Sequence, residues 1–398
     1  MTGPSPWLDA LSTLLRRSYL AQPSALAAVV NDAVRPLGVE VIVYLADREQ
    51  LHLRALPEPG KPPGELLAID GTLPGQAFRR VTELVSPQEP GRVWVPILDG
   101  TERLGVLAVS LPDRVPPPGV QESLRMLSVL IGHLLVAKMA YGDSLRRVRR
   151  SQPMSVGGEM LWRMLPPLTF ATHDLIVAAM IEPCYDVGGD AYDYAVDNDL
   201  ARITILDAVG HDHNAALTSC LTLSAIRAAR VSGAGLPDAA AAADRALTNQ
   251  FDDLRYATGI LAELDLQLGQ LRVVNAGHPQ PVVLRSGRSV AVLDGGRRLP
   301  LGLIGPTDDP VEYSLEPGDL LLFYTDGITE ARDEDGQLFG LERLIELAER
   351  QTADGHPAPE IARGISHAVM EYQNGQLHDD ATVLLVEWGP GVGIRIVP

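Results

Sequence analysis

Cysteine is nearly absent from this 398-residue chain: Cys184 and Cys220 are the only two. Two unpatterned thiols exclude a disulfide framework and a cysteine-based zinc site. Cys220 lies in an apolar helical run and belongs to a core, whereas Cys184 falls within the acidic stretch described below. Positive charge is scarce as well, with 33 Lys and Arg against 51 Asp and Glu and a formal charge of −18. That balance argues against nucleic acid or an anionic membrane as a partner, and it suits a protein that concentrates divalent cations. Long apolar runs are missing. The most apolar one, Leu127–Ala137, contains Ser128, Gly132 and His133 and is well short of the ~20 residues that span a bilayer. Met1–Leu20 mixes Pro, Asp and two Arg and lacks the apolar centre of a secretory signal, so the expected location is the cytoplasm. The hydrophobic content of 46% allows ample core, and the length suits two or three domains.

What is present is a concentration of acid in Glu182–Asp212, which holds seven Asp among short strand-forming runs. Asp190 follows Gly188-Gly189, a pair that lets main chain approach a ligand closely. Two β-like runs, Ala191–Val196 and Ala201–Leu206, flank Asp197-Asn198-Asp199, which is turn chemistry. With Asn198-Asp199 as a two-residue hairpin loop, Asp190 falls directly opposite Asp207 on one face, Cβ atoms about 4.5–5.5 Å apart. Carboxylates held so close repel unless a proton or cation lies between them, and hard oxygen donors of this kind suit Mg²⁺ or Mn²⁺. Asp197 and Asp199 read as turn formers facing water.

Five motifs in order extend the pattern: Asp186-Val187-Gly188-Gly189-Asp190, Asp207-Ala208-Val209-Gly210-His211, Asn275-Ala276-Gly277-His278-Pro279, Tyr324-Thr325-Asp326-Gly327 and Asp379-Asp380-Ala381-Thr382. Together they resemble the SpoIIE/RsbU-type branch of the metal-dependent PPM (PP2C-like) serine/threonine phosphatases. The resemblance implies an αββα sandwich and two Mn²⁺ or Mg²⁺ ions held by Asp190, Asp207, Asp326, Asp379 and the Ala208 carbonyl. It also implies a metal-activated water that attacks phosphorus directly. Gly189, Asp193, Gly210, His211, His278, Gly327 and Asp380 are the expected surrounding positions; Asp379 is the expected ligand and Asp380 its supporting neighbour. Eukaryotic relatives often place a histidine where this chain has Val209; His211, two residues on, reads as a loop residue with a general acid as the alternative, and Asp212 stands where many relatives have glycine. His278 is expected to orient a loop rather than bind metal, and the phosphate-clamping arginine of the eukaryotic enzymes has no evident counterpart.

Upstream, Asp70–Phe78, Val95-Pro96-Ile97 and Leu104-Gly105-Val106-Leu107 resemble a GAF domain, which implies a small-molecule ligand, or dimerisation alone. His52 and His133 read as packed or surface residues rather than haem ligands. Val120–Arg150 is helical by its three- and four-residue apolar spacing. Arg146–Arg150 reads as a solvated helix C-terminus that complements the dipole, and Pro153 with Gly157-Gly158 as a break. Later, Glu312–Leu315 and Asp319–Tyr324 flank the turn Glu316-Pro317-Gly318.

The expected fold class is therefore α+β, with a GAF-like α/β sensor domain over 1–140, a helical linker over 141–165 and the phosphatase sandwich over 166–390. Three functions fit: a regulated protein phosphatase acting on a phosphorylated STAS-type anti-sigma-factor antagonist, a small-molecule phosphoesterase of the same fold, or a non-catalytic GAF-based sensor. A homodimer through the helices of 120–165 is expected.

Overall fold

The computed structural model describes residues 6–58, 64–113, 115–182, 185–186, 188–210, 213–305, 309–375 and 379–398. The chain divides into two compact units, Met1–Gln152 with Ile396–Pro398 and Pro153–Arg395.

The first unit carries α1 (Pro6–Ser18), α2 (Leu26–Val34), β1 (Glu40–Ala46), β2 (His52–Ala55) and β3 (Leu66–Ala68). It continues with α3 (Leu73–Arg80), β4 (Leu84–Val85), β5 (Arg92–Asp99), β6 (Glu102–Ser110), α4 (Val120–Met139) and α5 (Ser144–Val148). Its strands form an antiparallel sheet in the order β3-β2-β1-β6-β5-β4. Leu124, Leu127, Ile131 and Leu135 of α4 join Leu14, Leu26 and Val30 in one core against Val43, Val95 and Leu107 of the sheet. Phe78, Trp94, Tyr44 and Leu53 form a second cluster. The short strands β3 and β4 offer too few residues for a period and were not expected. α4 is longer than the apolar run in the sequence: 20 residues, long and apolar enough by composition to cross a membrane. Its leucine face lies in the core cluster, as in the core helix of a globular unit.

The arginine cluster after α4 departs from expectation, because it is partly buried rather than solvated. Arg146 Nε donates to the Met139 carbonyl (3.2 Å) and Arg149 Nε to the Ala46 carbonyl (3.1 Å). Two elements that end in open carbonyls recruit the guanidinium groups. His52 and His133 pair with Asp47 and Asp99.

The second unit begins with α6 (Val156–Met164), so the stretch expected as one linker is divided between the units. Gly157 and Gly158 do not break the chain there. They lie buried in the first turn of α6, and the Gly158 N–H donates to the Ser155 hydroxyl cap at 3.0 Å. A Cβ on Gly158 would meet Met154 Cγ at 2.9 Å and the Tyr185 carbonyl oxygen at 3.1 Å, so close packing rather than chain breaking explains the glycine.

Next come β7 (Thr169–Ala171), β8 (Leu175–Glu182), β9 (Asp190–Asp197), β10 (Leu200–Ala208), α7 (His213–Val231) and α8 (Leu236–Gln250). Then follow β11 (Ala257–Asp265), β12 (Gln270–Ala276), β13 (Val282–Arg285), β14 (Arg288–Val292), β15 (Val311–Ser314) and β16 (Asp319–Tyr324). The unit ends with α9 (Asp326–Thr329), α10 (Gly340–Ala353), α11 (Ala358–Tyr372) and β17 (Ala381–Trp388). Two antiparallel sheets result, β15-β12-β11-β10-β9 and β14-β13-β16-β17-β8-β7. Helices α7 and α8 pack on the first and α11 on β8 and β17 of the second, an αββα arrangement. Cys220 joins the core between α7 and its sheet.

The segments on either side of Pro317-Gly318 do not pair with each other. β15 adds to β12, whereas β16 lies between β13 and β17 in the other sheet. All six residues of β16 are buried, which a central strand permits; the half-exposed Val311–Ser314 suits an edge.

Candidate active site

Antiparallel pairing brings the ends of distant strands to one end of the sandwich. The hairpin of β9 and β10 turns at Asn198, whose φ is +52°, and its register sets Asp190 opposite Asp207. In the second sheet, Glu182 at the end of β8 pairs with Ala381 at the start of β17, and Tyr324 at the end of β16 pairs with Val383. Asp326 and Asp379-Asp380 therefore emerge where β8 hands the chain over to β9.

Asp380 joins the two sheets. Its Oδ2 accepts N–H bonds from Gly188 (2.8 Å), Gly189 (2.6 Å) and Asp190 (3.1 Å). Asp379 is exposed, and its Oδ1 accepts the Asp380 N–H at 2.9 Å. One neighbour thus props the glycine turn while the other keeps its side chain in the open.

The electrostatics are those of crowded carboxylates. Burial, and after it the charges of Asp326, Asp379 and Asp380, push the Asp207 carboxyl up to about 8. Burial and then Asp207 and Asp380 hold Asp190 well above the ordinary carboxylate range, opposed by the hydroxyls of Thr382 and Thr325. Burial pushes Asp380 up to about 6 against its three N–H donors, and burial with Asp379 and Glu330 raises Asp326. Such a group of acids favours a bound cation or shared protons.

Among the described residues, no three His, Cys, Asp or Glu side chains are already set in a metal-holding arrangement. The donor chemistry still fits hard divalent cations, since every side chain in the group offers carboxylate oxygen. The backbone leaves room as well. A Cβ on Gly189 would stand 2.4 Å from the Ala208 carbonyl oxygen and 3.0 Å from that of Gly210. The bare glycine keeps both carbonyls clear, and the Ala208 N–H donates to the Gly189 carbonyl at 3.1 Å.

Gly327 meets the opposite wall, where a Cβ would fall 1.8 Å from the Asp380 carbonyl oxygen. His278 is fully enclosed. Its Nδ1 lies 2.8 Å from the Thr258 hydroxyl, and Thr258 faces Asp207 across the sheet. Asn275 closes the loop by accepting the His278 N–H (2.8 Å) and donating to the His278 carbonyl (3.0 Å). Burial pushes the imidazole down to about 3, so it is neutral, and its main chain is bound into the Asn275–His278 loop. Asp193 stands apart from the carboxylates, bound by Arg227 (2.6 Å) and Arg230 (2.7 Å) of α7. His211, Asp212 and Cys184 lie outside the described residues.

Two contributors escaped the sequence reading. The Thr325 hydroxyl donates to Asp190 Oδ2 at 2.7 Å and accepts the Thr382 N–H at 2.9 Å. Ser219 on α7 donates its hydroxyl to the Gly189 carbonyl. Both lie in motif or helix positions where hydroxyls are ordinary, and only the spatial partner reveals their part.

Residues 197–389 match the family described as Stage II sporulation protein E (SpoIIE). The phosphoserine phosphatase RsbU of Bacillus subtilis (strain 168) is 27% identical over 279 residues, 68% of this chain and 80% of RsbU. Protein IcfG of Synechocystis sp. (strain ATCC 27184 / PCC 6803 / Kazusa) is 26% identical over 53% of this chain and 37% of its own length. Among solved structures, the SiaA-PP2C domain of Pseudomonas aeruginosa is 26% identical, covers 53% of this chain and 85% of that domain, and superposes with a TM-score of 0.48. The family match runs from the end of β9 through β17 and takes in Asp207, Asp326 and Asp379, so the second unit is similar to the SpoIIE/RsbU-type branch of the PPM serine/threonine phosphatases.

Proposed function

We propose that the second unit hydrolyses phosphoserine or phosphothreonine in a protein substrate, with two Mn²⁺ or Mg²⁺ ions held by Asp190, Asp207, Asp326, Asp379 and the Ala208 carbonyl. The single observation that carries the reading is Asp190 facing Asp207 in register, with Asp326, Asp379 and Asp380 close enough to raise the Asp207 carboxyl. When bound, the ions would lower the pKa of a water and offset charge on the phosphoryl oxygens. The chain's own contribution is positional. Asp380 fixes the Gly188–Asp190 turn, Thr325 orients Asp190, and the Asn275–His278 loop supports the strand that carries Thr258. These bonds preorganise the carboxylates, so little rearrangement accompanies charge development.

The relative RsbU is named a phosphoserine phosphatase, which supports a phosphoprotein substrate; the family resemblance supports a phosphorylated STAS-type anti-sigma-factor antagonist. The first unit is proposed as the GAF-like regulatory domain, open to a small-molecule ligand. A homodimer is proposed through the helices of 120–165. Met126 (49% exposed), Val129 and Val136 line one face of α4 at three- and seven-residue spacing, and Leu8, Leu15 and Tyr19 of α1 are exposed as well. Light scattering that returns a monomer would remove this part of the reading.

The decisive experiment is phosphate release from a phosphorylated STAS-type protein and from p-nitrophenyl phosphate, with Mn²⁺ or chelator, for the native chain and Asp207→Ala. Mn²⁺-dependent turnover that disappears in Asp207→Ala is the expected result. Turnover that persists in chelator, or in the variant, would refute the metal-dependent mechanism.

A further inference from the structure

Beside the carboxylates lies an open cleft of ≈ 370 Å³, lined by Val209, Gly210 and Asn214 on one side and by Leu254, Arg255 and Tyr256 on the other. Its volume is in the range of about 300–1,000 Å³ typical of ligand sites. The carboxylate group and its supports do not use it. The cleft begins one residue beyond Ala208, whose carbonyl belongs to the proposed metal set, and successive Cα atoms are about 3.8 Å apart. The Val209 N–H donates to the Tyr256 carbonyl at 3.2 Å, and Ala208 pairs with Ala257, so floor and site share one piece of sheet.

The rim is open and mixed: Leu254 is 74% and Val209 54% exposed, and Asn214, Thr218 and Asp253 add polar groups beside them. Among the described residues, the one cation on the wall is already neutralised. Arg255 donates from Nε and Nη2 to the two carboxylate oxygens of Asp253 (3.1 and 3.0 Å), and its guanidinium lies 4.7 Å from the centre of the Phe251 ring. A bidentate pair stacked on an aromatic ring presents a flat wall rather than a free positive charge. The cleft is therefore unsuited to a second phosphate and suited to an aliphatic side chain with its adjoining peptide.

We propose that this cleft is the specificity subsite of the phosphatase and receives an aliphatic residue flanking the phosphorylated serine or threonine of a protein substrate. The inference rests on the phosphatase reading above and adds the substrate's local sequence to it. A phosphoseryl group delivered to the carboxylate end places its chain neighbours at Val209 and Leu254, because the cleft is the continuation of the Ala208 strand end. An acidic flanking residue meets the exposed Leu254 and Val209, the exposed carboxylate of Asp253 and a chain of net charge −18, and is disfavoured.

The test uses the full chain loaded with Mn²⁺ and two synthetic phosphoserine peptides that differ only in carrying leucines or aspartates beside the phosphoserine, with p-nitrophenyl phosphate as a substrate that has no flanks. The expected result is a kcat/KM for the leucine peptide about ten-fold above that for the aspartate peptide, a preference that collapses in Leu254→Asp. The loss for the leucine peptide in that variant should exceed any loss for p-nitrophenyl phosphate by a similar factor. Leu254 is exposed, so the variant should fold, and an unchanged unfolding midpoint checks this. Equal kcat/KM for the two peptides, or a preference retained in Leu254→Asp, would overturn the subsite while leaving the phosphatase intact. No turnover of either peptide or of p-nitrophenyl phosphate would overturn the phosphatase reading and the subsite with it.

Discussion

Thr325 donates its hydroxyl hydrogen to Asp190 across 135 residues of chain, at 2.7 Å and out of contact with solvent. The bond ties the residue just beyond one sheet's central strand to the first carboxylate of the other sheet. A hydroxyl so placed fixes which Asp190 oxygen faces the neighbouring acids, because the same Thr325 oxygen is anchored by the Thr382 N–H. With Asp190 as a proposed metal ligand, removing a partner of this type typically costs about 10–100-fold in metal affinity or activity. Thr325→Val should fall in that range in both Mn²⁺ affinity and kcat, while Thr325→Ser should recover most of the loss. Mn²⁺ titrations of the three proteins decide the matter; equal affinity in Thr325→Val would show that Asp190 needs no such guide.

Gly189 supplies the second prediction. A methyl group there would sit 2.4 Å from the Ala208 carbonyl oxygen, a backbone atom that cannot swing aside. The turn at 188–190 must then shift, and its three bonds to Asp380 shift with it. Gly189→Ala should cost about 1–3 kcal/mol of stability, as overpacked sites do, and should lower Mn²⁺-dependent turnover more than Thr325→Val. Denaturant titration beside kinetics measures both, and a fully active Gly189→Ala protein would show that the Ala208 carbonyl has no part in the site.

The Asp190–Asp207 pairing was legible in sequence because a two-residue turn leaves a hairpin one register, and register fixes faces. The roles of Asp379 and Asp380 were partly legible: the motif order named both, but only the structure shows Asp380 under the glycine turn. Thr325 and Ser219 were not legible as contributors, since a hydroxyl's partner far along the chain leaves no local pattern. The same limit hid the separation of β15 from β16. A tight turn with strands on both sides reads as a hairpin, yet the demand of Leu320–Tyr324 for burial on both faces sends the second strand into the other sheet. At Gly157-Gly158 propensity favoured a break, and the close approach of Tyr185 and Met154 favoured glycine inside a helix.

His278 makes stability depend on pH in a definite direction. Burial pushes its imidazole down to about 3 from an ordinary value near 6.5. Between those two values the unfolded chain binds a proton that the folded chain refuses, so stability is complete above pH ~6.5 and declines as the pH falls. The limiting slope is about 1.4 kcal/mol per pH unit. The carboxylates act the other way, because their raised values favour the folded state in acid. Comparing the native protein with His278→Gln across pH 7 to 4 isolates the imidazole. The variant should lose stability less steeply than the native chain as the pH falls, and parallel curves would show that the histidine is not enclosed in solution.

The crowded acids also set a trade between stability and function at Asp207. Without a cation, its ionised form faces burial and the charges of Asp326, Asp379 and Asp380, which is why its carboxyl is raised to about 8. Asp207→Asn keeps the shape and removes one charge, so the chelated variant should be more stable than the chelated native protein by about 1–2 kcal/mol at neutral pH, a common gain when a strained functional position is relaxed. Adding Mn²⁺ should reverse the order. A ligand at a hundred times its dissociation constant stabilises the native fold by about 2.7 kcal/mol, and the variant, lacking the central carboxylate, should gain far less. Calorimetry of both proteins, each with chelator and with Mn²⁺, gives four midpoints. A native protein whose midpoint ignores Mn²⁺, or a variant less stable than the native chain in chelator, would mean that the acids are relieved by shared protons rather than held ready for a cation.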